Sequence, residues 1–363
     1  MTWSLSMIVK NGEEHLAQTL ESAKAICDEL VVLDTGSTDK TVEIAESFGA
    51  KVFHYDWIDD FGAARNASLS HCTGDWILWL DCGDIIPSES QKAFIALKEN
   101  LATTGTQFDF VWAKINRGID AEGNVVFAFN TPRLARRRKG LKWVGAVHEY
   151  LDASNVNALM AQGVWVDDPL ALFNVPTDRN LKILQRLIDE GDTSTRTAYY
   201  YANELRDHKR WAEAIEAYNR FIAMEYYSWE YYDSLCSLAR CHHEMKDEAA
   251  VGKVLAEAIR FDSTRGEAFV ALGDMHYEQQ RWAMAAPFYR AAIGLQAPVE
   301  GFSLPHVYTW LPKDRLAVCY GHLGMVKEAS ELTLEILSSC PETDRLLANL
   351  RMYGDALRRS SQP

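Results

Sequence analysis

The sequence lacks three features that would place it in a specialised class of protein. Its seven cysteines are scattered and contain no Cys-x-x-Cys pair, which argues against a zinc site or a disulfide framework and favours reduced thiols. No apolar run approaches the roughly 18 residues of a membrane span. The first residues also lack the basic segment and long apolar core of a secretion signal. We therefore expect a cytoplasmic protein with no membrane span.

Positive charge is scarce as well. Lys and Arg number 37 against 51 Asp and Glu, which gives a formal net charge of −14. This balance disfavours broad binding to nucleic acid or to an anionic membrane, because both would be repelled on average. The content of 48% apolar and 24% charged residues is nevertheless typical of globular domains. A length of 363 residues exceeds the usual size of one hydrophobic core and predicts two domains.

The first half of the chain alternates short apolar runs with amphipathic segments. Ser4–Val9, Leu30–Leu33, Lys51–Tyr55 and Trp76–Leu80 are typical of buried strands, and the segments between them predict helices. This β-α-β order predicts a Rossmann-like α/β domain with a mainly parallel sheet. Ligands of such sheets bind at the carboxyl ends of the strands, where the loops here carry carboxylates, amides and glycine.

The second half is a repeat. From about Arg179 the chain is rich in Ala, Leu, Tyr and Glu, and Leu238-Ala239 recurs as Leu272-Gly273 thirty-four residues later. Small residues at fixed places let paired helices approach closely. The pattern resembles tetratricopeptide repeats over most of residues 195–340, and Thr343–Leu357 looks like a terminal capping helix. We predict a catalytic domain at residues 1–175 and an all-α tetratricopeptide-repeat solenoid at residues 176–363.

Several loops occur in an order that resembles family-two glycosyltransferases of the GT-A fold. The resemblance is carried by SMIVKNGEEHLAQTLES, ELVVLDTGSTDKTVEIAESFGAKV and WIDDFGAARNASLSHCTGDWILWLDCGD. A bacterial subgroup that also has C-terminal tetratricopeptide repeats, and that includes peptide S-glycosyltransferases of the sublancin type, is similar. The resemblance implies transfer of a sugar, with inversion, from a nucleoside-diphosphate sugar to an acceptor, UDP-sugars being the favoured donors.

The donor-binding residues are predicted from the strand-end loops. Asp34 follows a buried strand, so its carboxylate can accept hydrogen bonds from a base or ribose, although Thr35–Asp39 also suits a simple turn that caps the next helix. The resemblance places Arg65 and Asn66 beside the nucleotide, the alternative being a surface pair of Asp60 with Arg65. The full predicted set is Val9, Asn11, Glu13, Asp34, Arg65, Asn66 and Asp81.

A metal site and a catalytic base are implied by two further motifs. The resembling enzymes use Asp-x-Asp to hold the ribose and a divalent cation. Here Asp81 is present, the third position is Gly83, and the second carboxylate is displaced to Asp84. Two carboxylates still suit Mn²⁺ or Mg²⁺. The block that ends in His148 and Glu149 resembles a second motif of the subgroup. We predict Asp81, Asp84 and His148 as metal ligands, with a contact to the diphosphate as the alternative role of His148. Glu149 is the predicted general base.

The acceptor is less defined. Between the two motifs lies a basic cluster that suits a solvated loop, a diphosphate clamp or a contact for an anionic acceptor such as DNA: Arg133, Arg136, Arg137, Arg138, Lys139 and Lys142. A peptide or protein acceptor is favoured because repeat arrays commonly bind extended chains, and glycan or lipid-linked acceptors stay open. A homodimer is a possible assembly. The alternative function is a non-enzymatic repeat scaffold with a degenerate transferase domain, suggested by Gly83.

Overall fold

The computed structural model describes residues 1–104, 108–120, 123–138, 140–152, 157–172 and 177–360. The chain divides into two compact units, Met1–Leu187 and Ile188–Pro363. The domain boundary predicted between residues 175 and 176 lies outside the described residues and stays a prediction. Within the described ranges, no helix combines the length and the apolar character needed to cross a membrane.

The first unit is built on a β-sheet whose described part has seven strands in the order β3-β2-β1-β4-β6-β5-β9. A separate two-stranded ribbon pairs β7 with β8. The strands are β1 (Trp3–Val9), β2 (Glu29–Asp34), β3 (Lys51–His54), β4 (Trp76–Trp79), β5 (Phe110–Ile119), β6 (Val125–Arg136), β7 (Trp143–Val144), β8 (Tyr150–Leu151) and β9 (Ala158–Asp168).

The predicted β-α-β order is confirmed. Strands β1 to β4 pair in parallel, and the helices that follow them in the chain are α1 (Leu16–Lys24), α2 (Thr41–Ser47), α3 (Phe61–His71) and α4 (Ser88–Thr104). The apolar runs of the central strands are buried, as expected for a sheet covered on both faces. All four strand ends with polar loops therefore lie at one edge of the sheet.

Strand β6 runs antiparallel to β4, a reversal that no sequence pattern indicated. Its register pairs Leu134 with Leu78 and Arg136 with Trp76. Arg133 therefore lies at the carboxyl end of β4, whereas Arg136 lies at the amino end. The basic cluster that looks continuous in sequence is divided between opposite edges of the sheet, and Lys139 lies outside the described residues.

The second unit consists of helical pairs, which confirms the predicted repeat architecture. Helix α5 (Asp178–Asp189) leads into it. The pairs are α6 (Thr195–Asp207) with α7 (Trp211–Ile222), α8 (Trp229–Glu244) with α9 (Glu248–Phe261), α10 (Glu267–Glu278) with α11 (Trp282–Ala292), and α12 (Leu311–His322) with α13 (Val326–Glu335). Helix α14 (Thr343–Ser360) closes the described part.

Small residues let the two helices of a pair approach. A Cβ added at Gly273 of α10 would lie 2.6 Å from the ring of Tyr289 on α11. That ring is fully buried, and its hydroxyl donates a hydrogen bond to Asp274 at 2.6 Å. Burial and the hydroxyl hydrogen bond keep the Tyr289 ring in place, so the close approach at position 273 requires glycine.

This packing predicts opposite effects for two glycine substitutions. Gly273→Ala should lower the free energy of unfolding by about 1–3 kcal/mol, because the held Tyr289 ring must shift. Gly252→Ala, in helix α9 with open space around the new Cβ, should raise it by about 0.5–1 kcal/mol. Urea unfolding followed by far-ultraviolet circular dichroism measures both, and equal effects of the two substitutions would contradict the packing argument.

Candidate active site

The loops after β1 and β2 are tied to each other at the carboxyl edge of the sheet. The backbone N–H of Asn11 donates to Ser37 Oγ at 2.8 Å, and Asn11 Oδ1 accepts from the N–H of Thr38 at 2.9 Å. The carboxylate of Glu13 accepts from the N–H of Lys40 at 3.2 Å. Asn11 and Glu13, both predicted to contact the donor, thus form part of the rim of the site. Asn11 is exposed to solvent.

Asp34 lies just inside this rim and is almost fully buried. Its carboxylate accepts the N–H of Ser37 at 3.1 Å and lies 3.4 Å from Nδ1 of His54. The carbonyl of Val9 accepts from both the N–H and the hydroxyl of Thr35, at 2.9 and 3.1 Å. The turn predicted as an alternative role of Thr35–Asp39 is therefore present, and Asp34 anchors it.

The segment after β4 is a tight turn with glycine where the turn requires it. The N–H of Asp84 donates to the carbonyl of Asp81 at 3.0 Å, and Gly83 has a φ of +107°. The third residue of this four-residue turn has a positive φ, a conformation that favours glycine. A Cβ at Gly83 would also lie 2.5 Å from a methyl group of Leu170. The departure from Asp-x-Asp thus has a geometric cause.

Arg65 joins two of the predicted site carboxylates, the donor-binding Asp81 and the base Glu149. Its Nη2 donates to Asp81 Oδ1 at 2.6 Å, and its Nε donates to Glu149 Oε1. The Arg65 and Glu149 side chains are about nine-tenths buried, whereas the Asp81 side chain is 53% exposed. The Arg65 guanidinium also lies 5.0 Å from the ring centroid of Trp143. The alternative pair of Asp60 with Arg65 is not formed.

Helix α3 is started by Asp60, whose side chain accepts the N–H of Ala63 at 2.8 Å as an N-cap. One helical turn later, the helix presents Arg65 and Asn66. The Asn66 amide makes two hydrogen bonds with the backbone of Trp143, accepting its N–H at 2.8 Å and donating to its carbonyl at 2.9 Å. The side chain of Asn66 on α3 therefore binds the backbone of β7.

Asp84 is directed into the protein. It is 3% exposed, accepts the N–H of Asp81 at 3.0 Å and lies 3.7 Å from Nη2 of Arg133. Burial raises the pKa of Asp84 to about 7; Arg133 opposes this shift and the Asp81 carboxylate adds to it. Partial desolvation acts in the same direction on the half-exposed Asp81, but Arg65 and Arg133 outweigh it and hold the pKa of Asp81 well below its usual range.

The described residues contain no cluster of three His, Cys, Asp or Glu side chains that could hold a metal by itself. Asp84 is engaged with Arg133, and His148 is half-buried with a positive φ of 50°. Asp81 offers a half-exposed carboxylate at the rim. These residues fit a cation that takes one carboxylate from the protein and its other ligands from a diphosphate and water, a mode typical of Mg²⁺.

Two residues near this site were not singled out as site residues by the sequence. Arg117 and Asp168 form an ion pair of 3.4 Å across β5 and β9. The charge of Arg117 helps to lower the pKa of Asp81, and that of Asp168 helps to raise the pKa of Asp84. Their strands join the sheet through the reversal at β6, so a parallel β-α-β pattern could not have placed them here.

Comparison with known proteins identifies the first unit. The family described as glycosyl transferase family 2 matches residues 4–148. The N-terminal unit carries a glycosyl transferase family 2 domain. The match spans the strand-end loops, Arg65 and the turn at Asp81, and it ends at His148. The domain is followed by the tetratricopeptide-repeat array.

Two relatives and one solved structure illustrate the similarity. A TPR repeat-containing protein of Synechococcus elongatus is 33% identical over 205 residues, 56% of this chain and 48% of the relative. The glycosyltransferase SunS of Bacillus subtilis is 24% identical over 230 residues, 61% of this chain and 53% of the relative. The chain thus spans about half the length of each. The crystal structure of S. aureus TarS aligns with a TM-score of 0.39 and 16% identity, covering 70% of this chain and 55% of TarS.

The buried Asp84 carboxyl predicts a pH-dependent stability. Because its pKa is raised from 3.8 to about 7, its contribution favours the folded state at low pH and is lost as the pH rises through about 7. The wild type should therefore lose stability relative to Asp84→Asn between about pH 4 and pH 7. Urea unfolding across this range measures the difference.

The exposed carboxyl of Glu46 on α2 provides the control. Glu46→Gln controls for the loss of one negative charge. A stability gap between wild type and Asp84→Asn that stays constant, or that favours the wild type as the pH rises, would contradict the assignment of Asp84 as a buried carboxyl with a raised pKa.

Proposed function

We propose that this protein transfers a sugar, with inversion, from a nucleoside-diphosphate sugar to an acceptor at the carboxyl edge of the first sheet. The observation that carries the proposal is the Arg65 guanidinium shared between Asp81 and Glu149. This contact brings a guanidinium together with two carboxylates. We assign Asp81 to the donor side, Arg65 to the phosphates and Glu149 to the base, which are the groups that glycosyl transfer requires.

Glu149 is the proposed general base. Its Oε1 accepts from Arg65, which is the only hydrogen bond to this carboxylate found among the described residues. Oε2 is then available to accept the acceptor's proton as the nucleophile attacks the anomeric carbon. The new bond forms on the face opposite the departing diphosphate, and the proton passes to Glu149. Arg65 keeps the carboxylate oriented during this step.

The donor would occupy the rim formed by the loops after β1 and β2. Asp34 is proposed to contact the base or ribose with the oxygen lone pairs left by its turn, with Val9, Asn11 and Glu13 shaping the pocket around it. We propose that Asp81 contacts the ribose and lies beside the diphosphate. We favour a UDP-sugar, in keeping with the family.

A divalent cation, Mn²⁺ or Mg²⁺, is part of this proposal, with Asp81 as its protein ligand. A bound cation would offset the charge of the diphosphate leaving group. Asp84 is directed to Arg133 and supports the turn that presents Asp81. His148 adjoins Glu149 and stays a second predicted ligand.

The repeats are proposed to position the acceptor, with a peptide or protein favoured because such arrays provide extended binding surfaces. Division of the basic cluster between two sheet edges weakens the case for a DNA acceptor. The scaffold alternative was motivated by Gly83. The positive φ of Gly83 accounts for that glycine on structural grounds, so it gives no support to the scaffold, and we favour the enzyme.

Replacement of the general base Glu149 should slow sugar transfer and leave donor binding intact. With water as the acceptor, Glu149→Gln should slow release of the nucleotide from the cognate donor by roughly 100- to 10,000-fold, because removal of the attacking nucleophile's proton is lost. A thermal-shift panel of UDP-, GDP-, CMP- and dTDP-sugars should still show stabilisation of the variant by one donor, about 2.7 kcal/mol at a hundred times its dissociation constant. Glu46→Gln is the control for carboxylate loss. Absence of stabilisation by every donor would support the scaffold.

Metal removal should act through Asp81. Chelation with EDTA should reduce donor-induced stabilisation of the wild type, and Mn²⁺ should restore it, because the diphosphate loses its countercharge. In Asp81→Asn the donor response should become insensitive to Mn²⁺. If instead Asp84→Asn, and not Asp81→Asn, abolished the Mn²⁺ effect, Asp84 would be the ligand and the assignment would be wrong.

A further inference from the structure

We propose that Asn66 is a positioning residue for the base Glu149, acting through the backbone of Trp143, and that it does not hold the nucleotide. This inference rests on the proposed function for the role of Glu149. It concerns a residue whose type and place in the sequence suggest donor contact. The geometry points to a different task.

Both polar atoms of the Asn66 amide form hydrogen bonds with the backbone of one residue, Trp143. Oδ1 accepts the N–H of Trp143 and Nδ2 donates to its carbonyl, at 2.8 and 2.9 Å. This pair of bonds satisfies the peptide groups of a residue that is 8% exposed. Since a buried peptide group without a partner is unfavourable, the two bonds are costly to exchange for contacts with a nucleotide.

Trp143 begins the ribbon that carries the base. Strand β7 leads through the turn at residues 145–149 to β8, and Glu149 stands at the end of that turn. The Trp143 ring packs edge-on against Trp79 with centroids 5.1 Å apart, and the Arg65 guanidinium lies over it. Fixing the backbone of Trp143 therefore fixes where the turn starts.

Helix α3 also contacts the turn at residues 145–149 through other residues. The N–H of Phe61 donates to the carbonyl of Ala146 at 2.7 Å. Gly62 packs so closely on the Gly145 carbonyl that a Cβ at position 62 would overlap it. Arg65 holds the Glu149 side chain itself. Adjacent residues of one helix thus hold the base in two ways: Arg65 orients its carboxylate and Asn66 fixes the strand that delivers it.

Loss of this support should affect the chemical step and not donor binding. Displacement of a catalytic group by about 1 Å can cost roughly 100-fold in rate. Asn66→Ala should therefore lower kcat for donor turnover roughly 10- to 100-fold, while the donor's KM and its thermal-shift response change less than about twofold. A residue that held the nucleotide would raise KM and weaken the thermal shift instead.

A double-mutant cycle shows whether Asn66 acts through Glu149. In the Glu149→Gln background, Asn66→Ala should lower the residual rate by less than about threefold, because the group it positions is already disabled. Full additivity of the two losses would overturn the proposal. The rate measured is the release of UDP from a UDP-sugar, or of the nucleotide leaving group from whichever donor the panel identifies.

Hydrogen exchange provides a readout that needs no activity. In Asn66→Ala, amides of residues 143–149 should exchange faster than in the wild type, while those of β1 and β2 keep their protection. Ser70→Ala, which removes a local side-chain bond to the Ala67 carbonyl on the same helix, is the matched control and should change neither segment. Unchanged exchange at residues 143–149 would overturn the proposal. A wild type that turns over no donor would refute the proposed function, and exchange alone would then decide whether Asn66 positions this segment.

Discussion

The candidate site depends on one buried guanidinium. Arg65 lies between a carboxylate at the solvent rim, Asp81, and a largely buried one, Glu149, and its guanidinium lies over the ring of Trp143. A buried positive charge is unfavourable unless it is paired, and two carboxylates supply that pairing. Burial works against the charged form, yet the two carboxylates raise the pKa of Arg65 above its ordinary value. The guanidinium therefore stays charged, and both carboxylates keep their place.

The rest of the first unit can be understood as support for this arrangement. The parallel strands bring four polar loops to one edge, and side-chain to backbone bonds tie the first two loops together. The turn at residues 81–84 presents Asp81 outward while Asp84 and Arg133 brace it from within. Helix α3 links this side to the β7–β8 ribbon. The carboxylate of Asp84, which the sequence predicts as a metal ligand, accepts a hydrogen bond within this turn.

The sequence predicted what short-range patterns control. Apolar runs identified β1 to β4, the small residues at Ala239 and Gly273 identified the paired helices, and the strand-end motifs located Asp34, Arg65 and Asp81 at one edge. It could not predict the direction of β6, because strand reversal is decided by pairing between distant segments. That reversal divides the basic cluster and brings Arg117 and Arg133 to the site. The partners of Asn66 and Asp84 were also hidden, since amides and carboxylates suit ligands and backbone groups equally well.

The most direct test of the account is the affinity of the donor's diphosphate for the wild type and for Arg65→Met, measured by isothermal titration calorimetry with UDP and Mn²⁺. The account predicts that loss of the guanidinium weakens UDP binding roughly 10- to 100-fold. This factor corresponds to the loss of one charge-assisted hydrogen bond, about 1.5–3 kcal/mol. Equal affinity of the two proteins for UDP would contradict the claim that Arg65 links the donor to the base.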